Sequence, residues 1–472
     1  MSAAAGLLDW RFAGLAVGAL FLAKIAREEL FSPLARVPGM RPALYSWLYL
    51  GVGLLNGTYL QKFLAMYERY GPIFRIDSET VAVCDPEAVL QIFGSPRYAK
   101  GSGYDAFSFH RENLFSTRDI DYHRRQKRLM SPVFSVTAIA TMEPLVRKVG
   151  IDRVVEHVNA HAKAGTVFNI VGLLHRMSLD VIGEVAFGKS FDTLLEDFDG
   201  EAPQIIRWIN NITALGIVFS RETIRRRRAT ENEQGDRPKD VLQRLIEARD
   251  PDSGNTLSED QLIAESIIQL IGGTETTAYT LTWAIHLLLE HPHCMEQLVH
   301  ELCQELPDRD EPAKHAQLSE LPYLNAVLYE TLRLRPPSPD GTQRVSPPGG
   351  VHICGYYIPE GYNIQAATHG VHHSTKIYGA AVESFKPERW IESSPEQIAT
   401  MRQSFVSFSA GSRACIGRAL AWMELRLTLA TLVRRYAFHV PEGVENDMGQ
   451  VFDFVLKPRG GKLRIAATLR AE

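Results

Sequence analysis

The sequence predicts a mainly α-helical fold with small β-sheets, gathered into one large unit. Three observations carry that expectation. Apolar residues recur at helical spacing along most of the chain. Strand-like pieces are short and few, near 73–76, 81–83, 351–358 and 452–465. No Gly/Ser-rich or Pro-rich linker divides the 472 residues, although length alone would allow about three domains. A hydrophobic content of 45% supports a sizeable core. The net charge of −4 leaves no global positive field to neutralise phosphates, which excludes a general nucleic-acid binder. The five cysteines, Cys84, Cys294, Cys303, Cys354 and Cys415, are scattered, odd in number and without CxxC spacing. That pattern argues against a disulfide framework or a zinc site and for a reducing compartment.

The first element is an uninterrupted apolar run from Phe12 to Ala23, 12 residues long, where spanning a bilayer takes about 20. Lys24, Arg27, Arg36 and Arg41 follow it, on the side that the positive-inside rule keeps cytoplasmic. Asp9 spoils the basic leader of a secretory signal. A membrane anchor and an ordinary amphipathic or buried helix both stay open here. SPLARVPG, with Pro33, Pro38 and Gly39, then stops any helix, so residues 1–32 read as hydrophobic anchor and linker and 33–472 as the main unit. Further on, RRRR at 225–228 and the polar stretch after it read as a solvated loop.

The most informative element is a helix expected over Glu259–Glu290. Ser258 is a suitable N-cap, Gln261 completes a capping box, and His291-Pro292 ends the helix. Ile267, Ile268, Leu270 and Ile271 make it a core helix, yet its middle reads GGTETT. Two glycines cost roughly 1 kcal/mol each relative to alanine. Thr276 stands four residues after Gly272, so its hydroxyl can bond the Gly272 carbonyl and bend the helix. Close helix–helix packing is one explanation. A polar notch lined by Thr276, with Glu275 beside it, is the other.

Two acid–base constellations follow. Glu330 and Arg333 sit three apart on a helix that Pro336 and Pro337 end, and KPERW supplies Arg389. Exposed, such pairs contribute little; buried, the three would have to form as a set. Finally FSAGSRACIG places Cys415 between Gly411 and Gly417, just before a long apolar-periodic helix. A buried structural thiol is one reading. The other is a thiolate presented to a ligand, its pKa lowered by the helix N-terminus, with Arg413 able to pair with an anionic group.

Together these segments resemble the cytochrome P450 superfamily, the haem-thiolate monooxygenases, from about Pro33 to the C-terminus. Phe408-x-x-Gly411-x-Arg413-x-Cys415-x-Gly417 matches the family's haem-binding loop. Gly272-Gly273-x-Glu275-Thr276-Thr277 matches its oxygen-activation motif, and Glu330-x-x-Arg333 with Pro387-Glu388-Arg389-Trp390 matches its structural triad. The resemblance implies a single large haem-binding domain holding haem b, with Cys415 as axial thiolate to the iron. Phe408 and Gly417 would be cofactor-binding positions of that loop, and Arg413 and Arg344 would hold propionates. His123 and Lys127 stand where the family has Trp and Arg; they keep donors but lose the arginine fork, and Arg128 is an alternative. Thr276 and Glu275 would manage protons during dioxygen activation.

The implied activity is insertion of one atom of dioxygen into a small lipophilic substrate, as in fungal terpenoid or polyketide metabolism. A haem-thiolate isomerase, dehydratase or desaturase, and a non-catalytic haem-binding membrane-associated protein, are the alternatives. Electrons would come from an external NADPH-cytochrome reductase, because no fused flavin domain fits. The N-terminus resembles that of eukaryotic microsomal members, which implies the endoplasmic reticulum membrane with the catalytic domain facing the cytoplasm. Tyr104, Phe107, Phe109 and Phe115 in one loop, Ile268 and Ile271 on the long helix, and Pro339 to Thr342 would line the substrate pocket. Only Leu195–Pro238 is available for the two helices and loop of the family's pocket roof, so either the roof is shortened or the sequence derives from an imperfect gene model.

Overall fold

Ser258 starts the helix Glu259–Glu290 as its sequence dictates. Its hydroxyl accepts from the Gln261 N–H at 3.3 Å, while the Gln261 amide oxygen accepts from the Ser258 N–H at 2.9 Å. Two donors that the first turn leaves without intrahelical acceptors are thus satisfied together. At the far end His291 leaves the helical region, with φ −127°, directly before Pro292. The computed structural model describes residues 2–195, 217, 220–228, 240–250 and 253–470. It packs this central helix along Ile170–Phe187 and against Pro322–Leu334 and Arg418–Arg435. Leu262, Ile267, Trp283 and Leu288 are buried in those contacts.

The chain is helical for most of its described length, with four small sheets set at the edges of the helical core. The largest has the order Ile73–Arg75, Thr80–Val83, Asn363–Ala366, Thr342–Val345. Its middle pair is parallel, with Val81 opposite Ile364, and the outer pairs are antiparallel. The expected strand 351–358 is instead a hairpin. Cys354 and Gly355 take positive φ of 48° and 82°, and Val351–Ile353 folds back on Tyr356–Ile358. The expected strand 452–465 also breaks up. Gln450–Phe452 pairs with Leu456–Pro458, and a separate strand, Arg464–Leu469, joins Phe168–Asn169 and Tyr436–His439.

The arginines at 225–228 differ from expectation. Residues 220–228 are helical, and the run is paired rather than freely solvated. Arg225 meets Glu259 at 3.3 Å, Arg227 meets the buried Asp240 at 2.7 Å, and Arg228 donates to the Leu257 carbonyl at 3.4 Å. The segment expected to form the roof, 195–238, lies largely outside the described residues.

At the N-terminus Ser2–Leu30 is helical, yet no helix of the described residues is long and apolar enough to cross a membrane. Phe12, Leu15, Leu20 and Phe21 are nonetheless exposed along it. The helix is fastened at its end, where Glu29 pairs with the fully buried Arg75 at 2.8 Å and accepts from the Ala43 N–H at 2.6 Å. The proline-rich stretch that follows packs inward: Leu34 and Val37 are buried.

One buried cluster connects this scaffold to the thiol loop. Glu330, Arg333 and Arg389 are all buried. Glu330 accepts from Arg333 Nε and Nη2 at 2.9 and 2.8 Å, Arg389 Nε at 2.9 Å, Trp390 Nε1 at 2.9 Å and the Lys386 N–H at 3.1 Å. Arg333 also donates to the His372 carbonyl at 2.8 Å, and the His372 imidazole accepts from the Val406 N–H at 3.0 Å. Val406 lies two residues before Phe408, so the cluster fixes the entry to the loop of Cys415. Removing one member strands buried charge. Glu330→Gln should therefore lose about 3–5 kcal/mol of stability in guanidinium unfolding; a loss under about 1 kcal/mol would mean that the cluster behaves as a surface pair.

Candidate active site

The thiol loop is shaped by two requirements, a tight turn and close backbone approach. Gly411 has φ +64°, and a Cβ there would lie 2.6 Å from the Phe93 carbonyl oxygen, so this position needs glycine. The Cys415 N–H donates to the Phe408 carbonyl at 2.8 Å and closes the loop. Gly417 caps the helix Arg418–Arg435, and a Cβ there would come 3.9 Å from Cys415 Sγ. Phe408 packs near Phe405 and Trp422, with the Arg418 guanidinium 5.7 Å from its ring centre. Cys415 presents surface to open space while lying deep in the protein. Burial raises its pKa, and the Gly417 and Arg418 N–H groups with the Lys127 and Arg418 charges oppose that only in part. The expected lowering by the helix N-terminus is therefore outweighed by desolvation.

Basic side chains converge beside this loop. Arg413 ends in two buried nitrogens, Nη1 and Nη2, that have no hydrogen-bond partner. Its pKa falls to about 10, through burial and then the charge of Arg344. Arg344 is buried in its strand and donates to the Tyr104 hydroxyl at 3.2 Å. His123 is driven down to about 2 by burial and by the charges of Arg413, Lys100, Lys127 and Arg344, so it is neutral at any physiological pH. Lys127 sits differently from the expected propionate donor: its ammonium donates to the Ser412 and Ala414 carbonyls at 2.7 and 2.9 Å, clamping the thiol loop. Arg128 is exposed.

Among the described residues, Arg413, Arg344, Lys100 and Lys127 form no ion pair with a carboxylate. A buried guanidinium without an acceptor costs several kcal/mol. A ligand bearing two carboxylates, as haem does, supplies the missing charge, so the residues present fit that group.

The central helix supplies the other wall. Within this mostly buried element the less buried positions Ile268, Ile271, Gly272, Glu275 and Thr276 recur at helical spacing, marking one open face. The Thr276 hydroxyl donates to the Gly272 carbonyl at 2.7 Å. The two glycines divide the two explanations between them. A Cβ on Gly273 would strike Ile182 at 2.8 Å, whereas one on Gly272 would meet nothing within 4 Å. Gly273 serves packing, and Gly272 leaves the notch. Burial raises the Glu275 pKa, and Lys457 opposes it, so this carboxyl keeps its proton more readily than a solvated one.

The expected pocket residues form an aromatic cluster: Tyr104–Phe115 at 5.1 Å, Phe107–Phe115 at 5.3 Å and Phe107–Phe109 at 6.2 Å between ring centres. Phe454, from the hairpin Gln450–Pro458, joins Phe107 at 5.2 Å and was not foreseen. Thr342 stands in the strand next to this loop, and its hydroxyl is buried without a partner. Ile271 lies on the open helix face.

Two charged residues that sequence reasoning passed over hold the aromatic loop. Lys100 is buried and donates to the Leu114 and Phe115 carbonyls at 2.9 and 2.5 Å. Glu265 is buried on the central helix and accepts from the Leu114 N–H at 2.7 Å. Burial pushes the Lys100 pKa well down, and Arg413 and Arg344 add to that. Burial pushes Glu265 up to about 8 against the Leu114 N–H and the Lys100 charge. A lone carboxylate inside the apolar run IAESII was the available signal for Glu265.

A sequence model of the family described as Cytochrome P450 matches residues 37–220 and 205–465. Similar proteins include cytochrome P450 monooxygenase LUC2 of a Fusarium species, 29% identical, the match covering 94% of this chain and 88% of that one. Cytochrome P450 monooxygenase helB3 of Aspergillus fumigatus is 29% identical over 92% and 89%. Tryprostatin B 6-hydroxylase of Aspergillus fumigatus is 29% identical over 90% and 78%.

The Glu265 carboxyl has a testable consequence. From its ordinary 4.5 up to about 8, the unfolded chain has released this proton while the folded chain keeps it, so rising pH favours unfolding. Glu265→Gln keeps the acceptor for Leu114 without the charge. Urea midpoints measured from pH 5 to 8 should fall less steeply in the variant than in the parent; equal slopes would refute the assignment.

Proposed function

We propose, from the premise that the chain belongs to the cytochrome P450 family, that this haem monooxygenase oxidises a small lipophilic compound of fungal secondary metabolism. The relatives named monooxygenases support oxygen insertion, the one named tryprostatin B 6-hydroxylase supports a small organic substrate, and the aromatic loop of Phe107 and Phe115 suits a lipophilic one. The alternatives without oxygen insertion are not favoured. One observation carries the assignment of the site: the Arg413 guanidinium, buried without an acceptor among Arg344, Lys100 and neutral His123, in the loop that presents Cys415.

In this reading Cys415 is the thiolate ligand of haem b, and Arg413 and Arg344 hold its carboxylates. Lys127 keeps the thiol loop in place through the Ser412 and Ala414 carbonyls. When bound, the haem would supply dioxygen activation, consuming two electrons from the reductase and two protons so that one oxygen atom enters the substrate and the other leaves as water. The Thr276 hydroxyl spends its proton on the Gly272 carbonyl, so its lone pairs are free to orient a water or a reacting O–H in the notch. Glu275, its pKa raised by burial, passes protons inward from the side of Asp453 and Lys457. Phe107, Phe115, Ile271 and Thr342 orient the substrate and exclude bulk water.

Electrons come from a separate reductase, which we take to be NADPH-dependent. A cleft of about 500 Å³ beside Cys415, lined in part by His315, Arg418 and Arg426, offers a basic docking face. We place the protein at the endoplasmic reticulum membrane with its catalytic domain in the cytoplasm. Support comes from Phe12, Leu15 and Phe21 on the first helix and Trp47, Leu48 and Val52 on Ala43–Asn56, all exposed, an apolar surface suited to a lipid interface.

With reductase and a substrate that gives a binding-induced spectral change, Thr276→Ala should lower product formation by about 10²-fold while reductant consumption continues as peroxide release. Undiminished product formation would favour an isomerase or dehydratase chemistry that needs no dioxygen.

A further inference from the structure

Where the central helix ends, three donor side chains unused by the monooxygenase site come together. His293 and Cys294 lie in the first turn of the helix Pro292–Glu305, and Glu388 directly precedes Arg389. His293 Nε2 is 3.2 Å from Cys294 Sγ, and Cys294 Sγ is 4.0 Å from Glu388 Oε1. One ligating atom from each residue lies within 4.8 Å of the other two. Cys294 is buried, Glu388 half-buried and His293 exposed, so the group has a protected floor and an open side.

One nitrogen, one sulfur and one oxygen form a donor set for a borderline divalent cation. Tetrahedral zinc, with bonds of roughly 2.0–2.3 Å, places such ligand atoms about 3.3–3.6 Å apart. The observed separations need adjustments that side-chain rotation can supply. The Tyr323 hydroxyl donates to Glu388 Oε1 at 2.6 Å, an outer partner of the kind that orients a ligating carboxylate. Among the described residues no hydrogen bond occupies the second Glu388 oxygen. Without a cation the simplest state is a neutral thiol resting between imidazole and carboxylate, because burial pushes Cys294 up to about 11.

We propose that His293, Cys294 and Glu388 bind a single zinc ion, with solvent as the fourth ligand. Binding breaks the Cys294 S–H bond, sends its proton to solvent and leaves the sulfur electron pair to form the S–Zn bond, with no change of oxidation state. The ion joins the start of Pro292–Glu305 to the segment whose next residues, Arg389 and Trp390, grip Glu330. It therefore ties a surface site to the buried triad and adds its binding free energy to the folded state. Cysteine spacing alone argued against zinc, because the third ligand comes from a distant part of the chain.

The test uses the full-length, haem-loaded protein, stripped of other metals and titrated with zinc chloride. One equivalent should remain after gel filtration. Zinc-edge X-ray absorption should show one sulfur among nitrogen and oxygen ligands, and the unfolding midpoint should rise with zinc concentration. His293→Ala, at an exposed position that leaves folding intact, should weaken binding at least tenfold, roughly the scale of an outer-shell loss. Tyr323→Phe, which removes no ligand, should cost about 10–100-fold, and Cys294→Ser should remove the sulfur signal. Binding unaffected by His293→Ala, or no retained zinc in the parent protein, would overturn the proposal. So would loss of the haem spectrum on titration, which would place the metal at Cys415. A negative result with an intact haem spectrum leaves the monooxygenase reading standing.

Discussion

Glu330 is a fully buried carboxylate that cannot remain in the core alone. It is tolerable because five donors surround it, drawn from Arg333 on its own helix and from Lys386, Arg389 and Trp390 more than fifty residues further on. A buried charge of this kind adds little net stability compared with a well-packed apolar replacement. What it adds is uniqueness: only one arrangement of the two segments satisfies every group. Arg333 extends that constraint through the His372 carbonyl, and His372 extends it to Val406. The thiol loop is thus held in register by hydrogen bonds that begin at a helix far from it in sequence.

The site that this scaffold positions is electrostatically unfinished. Arg413, Arg344, Lys100 and Lys127 are held together against mutual repulsion, which the described residues offset with backbone carbonyls, the Tyr104 hydroxyl, the rings of Phe93, Tyr104 and Phe115, and the more distant carboxyls of Asp119 and Glu265. A dianionic ligand relieves that repulsion, so cofactor binding and folding are linked. The pKa of Cys415 follows the same logic. Its sulfur is raised by burial despite the helix N-terminus behind it, and a cation in front of it is what makes the thiolate favourable.

Much of this was readable in the sequence where the physics is local. Ser258, Gln261 and Pro292 announce both ends of the central helix through short-range capping and ring sterics, and both ends fall where expected. Glu330, Arg333 and Arg389 could be expected as a set because burial leaves them no alternative. Reading failed where the partner is remote or has no side-chain signature. The arginines at 225–228 looked solvated because Glu259 and Asp240, which pair with them, lie elsewhere in the chain. Lys100 carries no side-chain signature because its partners are backbone carbonyls. Strands such as Thr342–Val345 and Asn363–Ala366 are four residues long, too short for alternation to register, and exist because neighbouring strands complete them.

The hold that Lys100 and Glu265 exert on Leu114 and Phe115 acts on main-chain atoms alone. Within the loop Asn113 does the same, its amide donating to the Phe107 carbonyl and accepting from the Phe115 and Ser116 N–H groups. Phe107 and Phe109 are therefore free to change identity without unseating the segment that bears them, and a lineage could explore new chemical tastes on a fixed frame. Selectivity and architecture are, in this loop, written on different atoms.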